Sequence, residues 1–231
     1  MVPLLEADRV SVAVDRVTLL PPTSLQVGAG ECVAVLGRNG AGKTTLLRVL
    51  AGRVRAGSGA ARLRGAPLSE RRREVRREIA ALIEPPTLYP DLTLHENLAL
   101  IEAAWSGENA RPDGGPRPGG RTRRRNGEAP DLVAGLGAGA LERFGLGALR
   151  DRFANELSSG QRQLVSLAVV FARPASVLLL DEPEQRLDPE RRSLVAETIR
   201  AARRRGLGVV LASHDAELVD RVADRRVQVG G

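Results

Sequence analysis

A glycine-rich segment at residues 37–44, with the sequence GRNGAGKT, constrains the fold of this chain more than any other feature. It matches the phosphate-binding pattern G-x-x-x-x-G-K-[S/T] at every fixed position. The apolar run 32–36 before it is typical of a buried parallel strand, and the run 45–51 after it is typical of a helix that ends at Gly52. Because the backbone N–H groups of such a loop and the positive end of the following helix hold anions, the segment predicts a phosphate site.

The residues of this segment are the expected contacts of a nucleotide. Lys43 would reach the β- and γ-phosphates, and the hydroxyl of Thr44 would bind Mg²⁺. Lysine and arginine total 35, yet Lys43 is the only lysine, and a planar guanidinium does not replace a compact ammonium at such a site. A chance match in a turn is the alternative, and the flanking strand and helix argue against it. The predicted nucleotide-binding residues are Gly37, Asn39, Gly40, Gly42, Lys43, Thr44 and Thr45.

Length and composition describe an ordinary globular chain of 231 residues, either one large domain or two small ones. No apolar run is long enough to span a bilayer, and residues 1–22 lack a basic start followed by an apolar block, so we expect neither a membrane span nor a secretory signal. The single Cys32 lies in an apolar run and is expected to be a buried small side chain. The net charge of +7 permits contact with nucleic acid or anionic lipid without requiring it.

Strands alternate with helices along most of the chain, which predicts an α/β fold with a parallel sheet. Short strands at 10–14, 17–20 and 25–27, interrupted by Pro21 and Pro22, suggest an additional antiparallel layer. We expect a hairpin within 58–68, helices at 69–80, 94–105, 131–144, 159–171, 189–205 and 216–222, and strands at 81–84, 177–180, 207–212 and 226–229.

The segment 106–130 departs from this pattern. It holds six Gly, four Pro and six Arg and no apolar residue larger than alanine. Such a segment buries too little surface to order itself, so we expect a disordered insertion. A basic arm for anionic lipid or RNA is the alternative.

Two carboxylates end the apolar strand 177–180. Asp181 would hold Mg²⁺ directly or through water, and Glu182 would act as general base towards the attacking water. A surface acidic pair is the alternative, which the phosphate loop earlier in the chain disfavours.

With these motifs in place, the chain resembles the nucleotide-binding subunits of ATP-binding cassette (ABC) transporters. The resemblance covers nearly the whole chain except 106–130. It is carried by the phosphate loop, by the segments 88–93 (LYPDLT) and 96–98 (ENL), by the segment 157–161 (LSSGQ), by the carboxylate strand and by His214.

The resemblance implies two copies packed head to tail, with ATP between the phosphate loop of one copy and the 157–161 segment of the other. That segment is called the signature below. The resemblance also implies that the signature acts across the interface, through Ser158, Ser159, Gly160 and Gln161. Ser158 and Gly160 would bind the γ-phosphate. His214 would contact the same phosphate and belongs, with Lys43 and Glu182, to the predicted catalytic residues. Asp188 matches the loop that links the two sites.

Four positions depart from the family pattern. Glu84 stands where the family usually has a glutamine that contacts Mg²⁺ and faces the membrane partner, so the implied metal ligands are Thr44, Asp181 and Glu84. The aromatic residue that stacks on adenine should fall near Val14, but no aromatic residue precedes Tyr89. Ser159 replaces a glycine, and residues 184–186 are bulkier than the usual small ones.

The sequence thus predicts an α/β phosphate-loop NTPase with a parallel sheet, an N-terminal antiparallel β layer and a helical subdomain. We expect a catalytic core at about 1–83 and 161–231 and the helical subdomain at about 84–160. The expected function is ATP hydrolysis coupled to transport, of exporter type because 88–93 resembles exporter members, with ATP and Mg²⁺ as cofactors.

Expected partners are a second copy or a homologous ATPase subunit and integral membrane permease subunits, at the cytoplasmic face of the membrane, with no specific nucleic acid. A soluble ABC ATPase acting on nucleic acid or the ribosome is the alternative, disfavoured because the chain has one cassette and no heptads. A non-hydrolysing nucleotide switch is disfavoured because Lys43, Asp181, Glu182 and His214 are all present.

Overall fold

A computed structural model describes residues 3–106 and 136–230. All of the predicted insertion except its first residue, and the predicted helical residues 131–135, lie outside the described residues. The strands are β1 (Leu5–Val14), β2 (Val17–Val27), β3 (Cys32–Leu36), β4 (Ser58–Leu63), β5 (Ala66–Pro67), β6 (Ile79–Leu82), β7 (Val177–Asp181), β8 (Gly208–Ala212) and β9 (Arg225–Gln228). The α-helices are α1 (Lys43–Leu50), α2 (Arg73–Glu78), α3 (Leu94–Ser106), α4 (Leu136–Arg143), α5 (Ser159–Phe171), α6 (Pro189–Arg204) and α7 (Ala216–Val222).

The chain divides into two compact units, one formed by Met1–Pro85 with Ala175–Gly231 and the other by Pro86–Pro174. The second boundary lies later than the predicted one at 160/161. The reason is that α5 packs on α3 and α4, so the helix after the signature belongs to the helical unit.

A five-stranded parallel sheet with the order β6-β7-β8-β3-β9 forms the centre of the first unit and confirms the predicted α/β core. Every residue of β8 and the first four residues of β3 and β7 are buried, as their valine- and leucine-rich sequences predict. The carboxyl ends of parallel strands lie at one edge of a sheet. The phosphate loop after β3, the carboxylates at the end of β7 and the turn after β8 therefore share that edge.

The predicted antiparallel layer is present as a second sheet with the order β2-β1-β4-β5. The expectation that Pro21 and Pro22 interrupt the strand is wrong, because β2 continues through both. β2 is an edge strand, and its register with β1 shifts between Leu20 and Thr23, so neither proline has to donate a ladder hydrogen bond.

The charged helix predicted at 69–80 is shorter in the structure, and the strand predicted at 81–84 begins earlier. Helix α2 ends at Glu78, and Ile79 and Ala80 pair with Val177 and Leu178 as the start of β6. Long-range pairing overrides the local helical preference of this charged stretch because it buries Ile79 and Ala80.

In the helical unit, a threonine followed three residues later by a glutamate predicts an N-cap at Thr93, and the structure confirms it. The hydroxyl of Thr93 accepts from the backbone N–H of Glu96 at 3.3 Å, and the carboxylate of Glu96 accepts from the Thr93 N–H at 2.8 Å. The rings of Phe144 and Phe171 lie 5.9 Å apart and join α5 to the segment after α4. Within the described ranges, no helix is both long enough and apolar enough to cross a bilayer.

The turn before β3 is tied to β9 through Glu31. Its carboxylate accepts from the backbone N–H of Gly28 at 2.8 Å and from the Arg225 guanidinium at 2.5 Å. Burial opposes ionisation of Glu31, but these two donors outweigh it and hold its pKa below the ordinary value. The ionised carboxylate therefore stabilises the fold at pH values above its unfolded pKa.

Replacing Glu31 with glutamine is expected to lower the free energy of unfolding by about 1 kcal/mol at pH 7. Because the folded-state pKa is lowered, the difference from the parent should vanish as pH falls through that pKa. Urea unfolding at pH 7 and at pH 3 measures both effects. Glu217→Gln is the control, since its side chain is 82% exposed and should change stability by less than about 0.5 kcal/mol. Equal losses at both pH values would contradict the prediction.

Candidate functional site

The phosphate loop adopts a backbone that depends on its glycines. Gly42 has φ 106°, and a Cβ there would lie 2.5 Å from the carbonyl oxygen of Leu19. Gly37 has φ 154°, and a Cβ there would lie 2.6 Å from the carbonyl oxygen of Val229. The loop can hold this shape only because both positions lack a side chain, and α1 then begins at Lys43 with its N-terminus at the loop.

Lys43 is buried in the loop, with only 6% of its surface exposed. Its ammonium donates to the carbonyl oxygens of Gly37 at 2.8 Å and Arg38 at 3.3 Å. It also lies 2.9 Å from Nε2 of His214. The predicted phosphate-binding lysine and the predicted phosphate-contacting histidine, 171 residues apart in sequence, are thus direct neighbours at the edge of the sheet.

Thr44 and Asp181 form the candidate magnesium site. The Thr44 hydroxyl donates to Oδ2 of Asp181 at 2.6 Å. Burial raises the pKa of Asp181 above its ordinary value, against the opposing hydrogen bond from Thr44. Hard oxygen donors of this kind fit Mg²⁺, which takes few protein ligands and completes its octahedron with phosphate and water. The described residues contain no cluster of three or more His, Cys, Asp or Glu side chains suited to a metal.

Glu182 follows directly in a strained backbone conformation. Its φ is 46°, in the left-handed region that residues other than glycine rarely adopt. Its backbone N–H donates to the carbonyl oxygen of Ala212 at 2.8 Å. One carboxylate oxygen lies 3.3 Å from Nε2 of His214 and the other accepts from the Gln185 amide at 2.7 Å. The geometry therefore places the predicted general base and the predicted phosphate contact within reach of each other.

Glu84 has different neighbours from those that its implied metal role suggests. Its carboxylate accepts from Nε of Arg48 at 3.0 Å and from the Arg53 guanidinium at 2.7 Å. Coordination of Mg²⁺ by Glu84 would require it to exchange these guanidinium partners for the metal.

A cleft of about 530 Å³ lies over the phosphate loop, and its far wall is the β1–β2 hairpin. The hairpin residues that line it are Val17, Thr18 and Leu19, of which Val17 is 61% and Leu19 41% exposed. Exposed aliphatic side chains beside a phosphate site are available to a nucleobase, but they lack the π-face of an aromatic ring. Asn39, Gly40 and Thr45 line the same cleft.

Asp188 caps helix α6, and its carboxylate accepts from the Arg191 N–H at 2.8 Å. The loop that leads to it, residues 182–188, contains a second strained position. Arg186 has φ 64°, a left-handed conformation that glycine adopts without a steric penalty. The bulky residue noted in the sequence therefore occupies a position whose backbone favours glycine.

The signature lies in the helical unit, where it opens α5. Ser158 is the N-cap, its hydroxyl accepting from the Gln161 N–H at 3.2 Å while the Gln161 amide oxygen accepts from the Ser158 N–H at 2.8 Å. Ser159 and Gly160 form the first turn, and Gly160 is buried. The N-terminus of a 13-residue helix therefore presents its backbone donors beside these small side chains.

Two site residues received no role from the sequence. Ser213 and Glu184 lie behind His214, where the Ser213 hydroxyl donates to the Glu184 carboxylate at 2.5 Å. A glutamate in the loop after the carboxylates was visible in the sequence, but its partner is 29 residues away and no local pattern connects the two.

Comparison with known proteins identifies the class of protein that this fold and this site define. A family model described as ABC transporter matches residues 20–185, which is most of the chain, so the chain belongs to the ABC transporter family. The resemblance found in the sequence and the predicted enzyme class, an ABC ATPase, are thereby confirmed at the level of the family.

Two relatives point to opposite transport directions. Nod factor export ATP-binding protein I of Paraburkholderia xenovorans is 32% identical over 96% of this chain, which spans 66% of that relative's length. Phosphate import ATP-binding protein PstB 2 of Natronomonas pharaonis is 36% identical over 94% of this chain and 74% of its own length. Identity of this order supports the shared family and leaves the direction of transport open.

Two solved structures share the fold. The ATP-binding subunit of an ABC transporter superposes with a TM-score of 0.79 at 26% identity, over 98% of this chain and 85% of that one. An ATP-binding cassette described as a dimeric post-hydrolysis state bound to ADP and Pi superposes with a TM-score of 0.76 at 19% identity, over 97% and 94%. The predicted phosphate-loop NTPase fold is confirmed.

Val17→Tyr is expected to lower the KM for ATP by about threefold to tenfold, since an aromatic ring in the cleft adds about 1 kcal/mol of stacking that valine cannot supply. Steady-state hydrolysis of ATP by parent and variant measures the effect. Leu100→Tyr, on an exposed position of α3 outside the cleft, is the control and should leave KM unchanged. An unchanged KM in Val17→Tyr would show that the adenine ring of ATP does not bind against Val17.

Arg186→Gly is expected to raise the free energy of unfolding by about 0.5–1 kcal/mol, because relief of the left-handed strain exceeds the extra entropy of glycine in the unfolded chain. Thermal unfolding provides the measurement. Arg200→Gly, inside helix α6, is the matched control and should destabilise the protein by about 1 kcal/mol. If Arg186→Gly also lowers the free energy of unfolding, the contacts of the Arg186 side chain contribute more stability than its left-handed backbone costs.

Proposed function

We propose that this chain is the ATP-binding and ATP-hydrolysing subunit of an ABC transporter, and that it acts as a head-to-tail dimer on separate membrane subunits. The observation that carries the proposal is the meeting of three distant segments at one sheet edge. Lys43 lies 2.9 Å from His214, His214 lies 3.3 Å from Glu182, and Thr44 lies 2.6 Å from Asp181.

Binding of the triphosphate falls to the phosphate loop. Its backbone N–H groups and the N-terminus of α1 surround the β-phosphate, and Lys43 exchanges its contact with His214 for phosphate oxygens. Thr44 and Asp181 would hold Mg²⁺, which when bound neutralises charge on the β- and γ-phosphates. The aliphatic side chains of Val17 and Leu19, which line the cleft, cover the adenine ring.

Hydrolysis requires a base, a fixed water and a charge-stabilising group. Glu182 takes the proton of the attacking water, and its strained backbone aims its carboxylate at the cleft that it lines. His214 contacts the γ-phosphate from the neighbouring strand and stabilises the charge that develops there. Lys43 remains on the phosphate oxygens throughout.

The second copy completes the site. Ser158 and Gly160 at the start of α5 would bind the γ-phosphate from the partner, with Ser159 and Gln161 shaping the turn and Asp188 linking the two sites. The fold neighbour described as dimeric and bound to ADP and Pi supports self-association, and the resemblance noted in the sequence supplies the head-to-tail arrangement.

The proposed location is the cytoplasmic face of the membrane, bound to permease subunits, with export as the direction. Export rests on the exporter-like segment 88–93 and on the similarity to the Nod factor export protein, while the phosphate import relative supports the opposite direction. Affinity purification of the tagged chain from detergent-solubilised native membranes tests the partner. A stoichiometric polytopic membrane protein supports the proposal, whereas a ribosome or nucleic acid without one supports the soluble alternative.

Glu182→Gln is expected to lower kcat by about 100-fold or more while ATP still binds, because glutamine cannot accept the proton of water. Trapped ATP should then hold the variant as a dimer, which size-exclusion chromatography with light scattering detects. Glu190→Gln, an exposed residue in the first turn of α6, is the control for the loss of one charge. Hydrolysis by Glu182→Gln at the parent rate would remove Glu182 from the role of base.

A further inference from the structure

Glu184 is a charged residue in a buried position. Only 8% of its surface is exposed, and glutamate is rarely buried to this extent unless it is paired. The salt bridges among the described residues include none to Glu184. Its carboxylate is held instead by neutral donors, and Oε2 is buried without a hydrogen-bond partner among the described residues.

The neutral donors both come from the turn after β8. Oε1 of Glu184 accepts from the Ser213 hydroxyl at 2.5 Å and from the backbone N–H of His214 at 3.3 Å. The same hydroxyl oxygen accepts at 3.0 Å from the N–H of Asp215, which is the N-cap of α7. One carboxylate oxygen thus contacts Ser213 and His214 directly and is linked to Asp215 through the Ser213 hydroxyl.

The backbone of Glu184 belongs to the loop that carries the base. The Gln185 N–H donates to the Glu182 carbonyl at 3.1 Å, and the Leu187 N–H donates to the Glu184 carbonyl at 3.2 Å. Glu184 lies in the middle of these two turns. Its side chain therefore joins the loop that orients Glu182 to the turn that orients His214.

We propose that Glu184 is a positioning residue, which holds the turn 213–215 against the loop 182–188 and thereby fixes the His214 ring beside Lys43 and Glu182. The proposal rests on the proposed ATPase function for its kinetic consequence, but its structural content concerns His214 alone. A buried carboxylate with an unpartnered oxygen costs stability, so a role in the geometry of the site accounts for its presence better than a role in stability.

The proposal predicts a loss of activity without a matching loss of stability. Glu184→Met removes the buried charge and fills a similar volume, which offsets the cost of the two donors that lose their acceptor, so its free energy of unfolding should stay close to that of the parent. The Ser213 hydroxyl and the His214 N–H lose their acceptor, and kcat should fall about tenfold to 100-fold with the KM for ATP changed less than threefold. Glu184→Gln keeps an oxygen acceptor and should restore kcat to within about threefold of the parent.

Ser213→Ala offers an independent test of the same contact. It should lower kcat by a factor similar to that of Glu184→Met, and the double variant should be no worse than either single one, since both remove one link. Additive losses would show that the two residues act separately. Glu190→Gln, in the first turn of α6 directly after the loop 182–188, is the control for the loss of one negative charge.

Direct observation of His214 separates positioning from general damage. The chain contains two histidines, His95 in α3 and His214, so side-chain ¹⁵N spectra of the nucleotide-free protein contain two sets of ring signals, which His214→Ala assigns. In Glu184→Met the His214 signals should shift or broaden, while the His95 signals stay unchanged and the Glu184→Gln spectrum returns towards the parent.

Unchanged His214 signals together with an unchanged kcat in Glu184→Met would overturn the proposal. A parent protein that does not hydrolyse ATP would overturn the proposed function alone, because the spectra of the nucleotide-free protein still decide whether Glu184 positions His214. If Glu184→Met does not fold, Ser213→Ala and Glu184→Gln carry the same comparison. A fall in stability that matches the fall in kcat across all variants would assign Glu184 a structural role instead.

Discussion

The site depends on the register of three neighbouring parallel strands, β7, β8 and β3, which aligns their carboxyl ends. In the parallel ladder, Ala212 of β8 is the register partner of Asp181 on one side and of Val35 on the other. The residues that follow are therefore the carboxylate Glu182, the turn with Ser213 and His214, and the phosphate loop, all at the same height on one edge. A shift of the register by one residue would turn Asp181 to the opposite face of the sheet. The register is fixed by apolar, fully buried side chains of these strands. None of these side chains has a proposed role in binding or hydrolysis.

The rigid sheet supports several groups that fold at a cost. Glu182 holds a left-handed backbone, Asp181 is buried enough to raise its pKa, and Glu184 buries a carboxylate beside neutral donors. Left-handed backbone at a non-glycine residue costs about 1–3 kcal/mol, and surrounding structure has to offset it. These three residues lie within positions 181–184, at the end of β7 and directly after it, and the first four residues of β7 are all apolar. The unfavourable local terms are concentrated where the geometry of a reaction demands them, which is typical of functional sites.

Local patterns in the sequence predicted the parts of the molecule that local chemistry determines. The phosphate loop, the N-cap at Thr93 and the buried strands have this character, and the structure contains all of them. The failures arise where distant partners decide. Ile79 and Ala80 continue a charged helical pattern but pair with β7, and the strand β2 passes through two prolines because it lies at an edge. The link from Glu184 to Ser213 joins two loops at neighbouring strand ends, and no periodicity or spacing within either loop encodes it.

Glu84 shows how one changed residue alters the charge balance of a site. A glutamine at this position would be neutral and would need no counterion, whereas a glutamate brings a negative charge to the end of β6. Arg48 on α1 and Arg53 after it supply two guanidinium groups within 3.0 Å of its carboxylate. Any approach of Glu84 to a magnesium ion at Thr44 and Asp181 would exchange these contacts for the metal, while a neutral amide would not face this competition. Exposed ion pairs contribute little singly, but two on one carboxylate define its orientation. The arginines therefore set the resting position of Glu84, and the free energy of leaving them would add to the cost of any metal binding by Glu84.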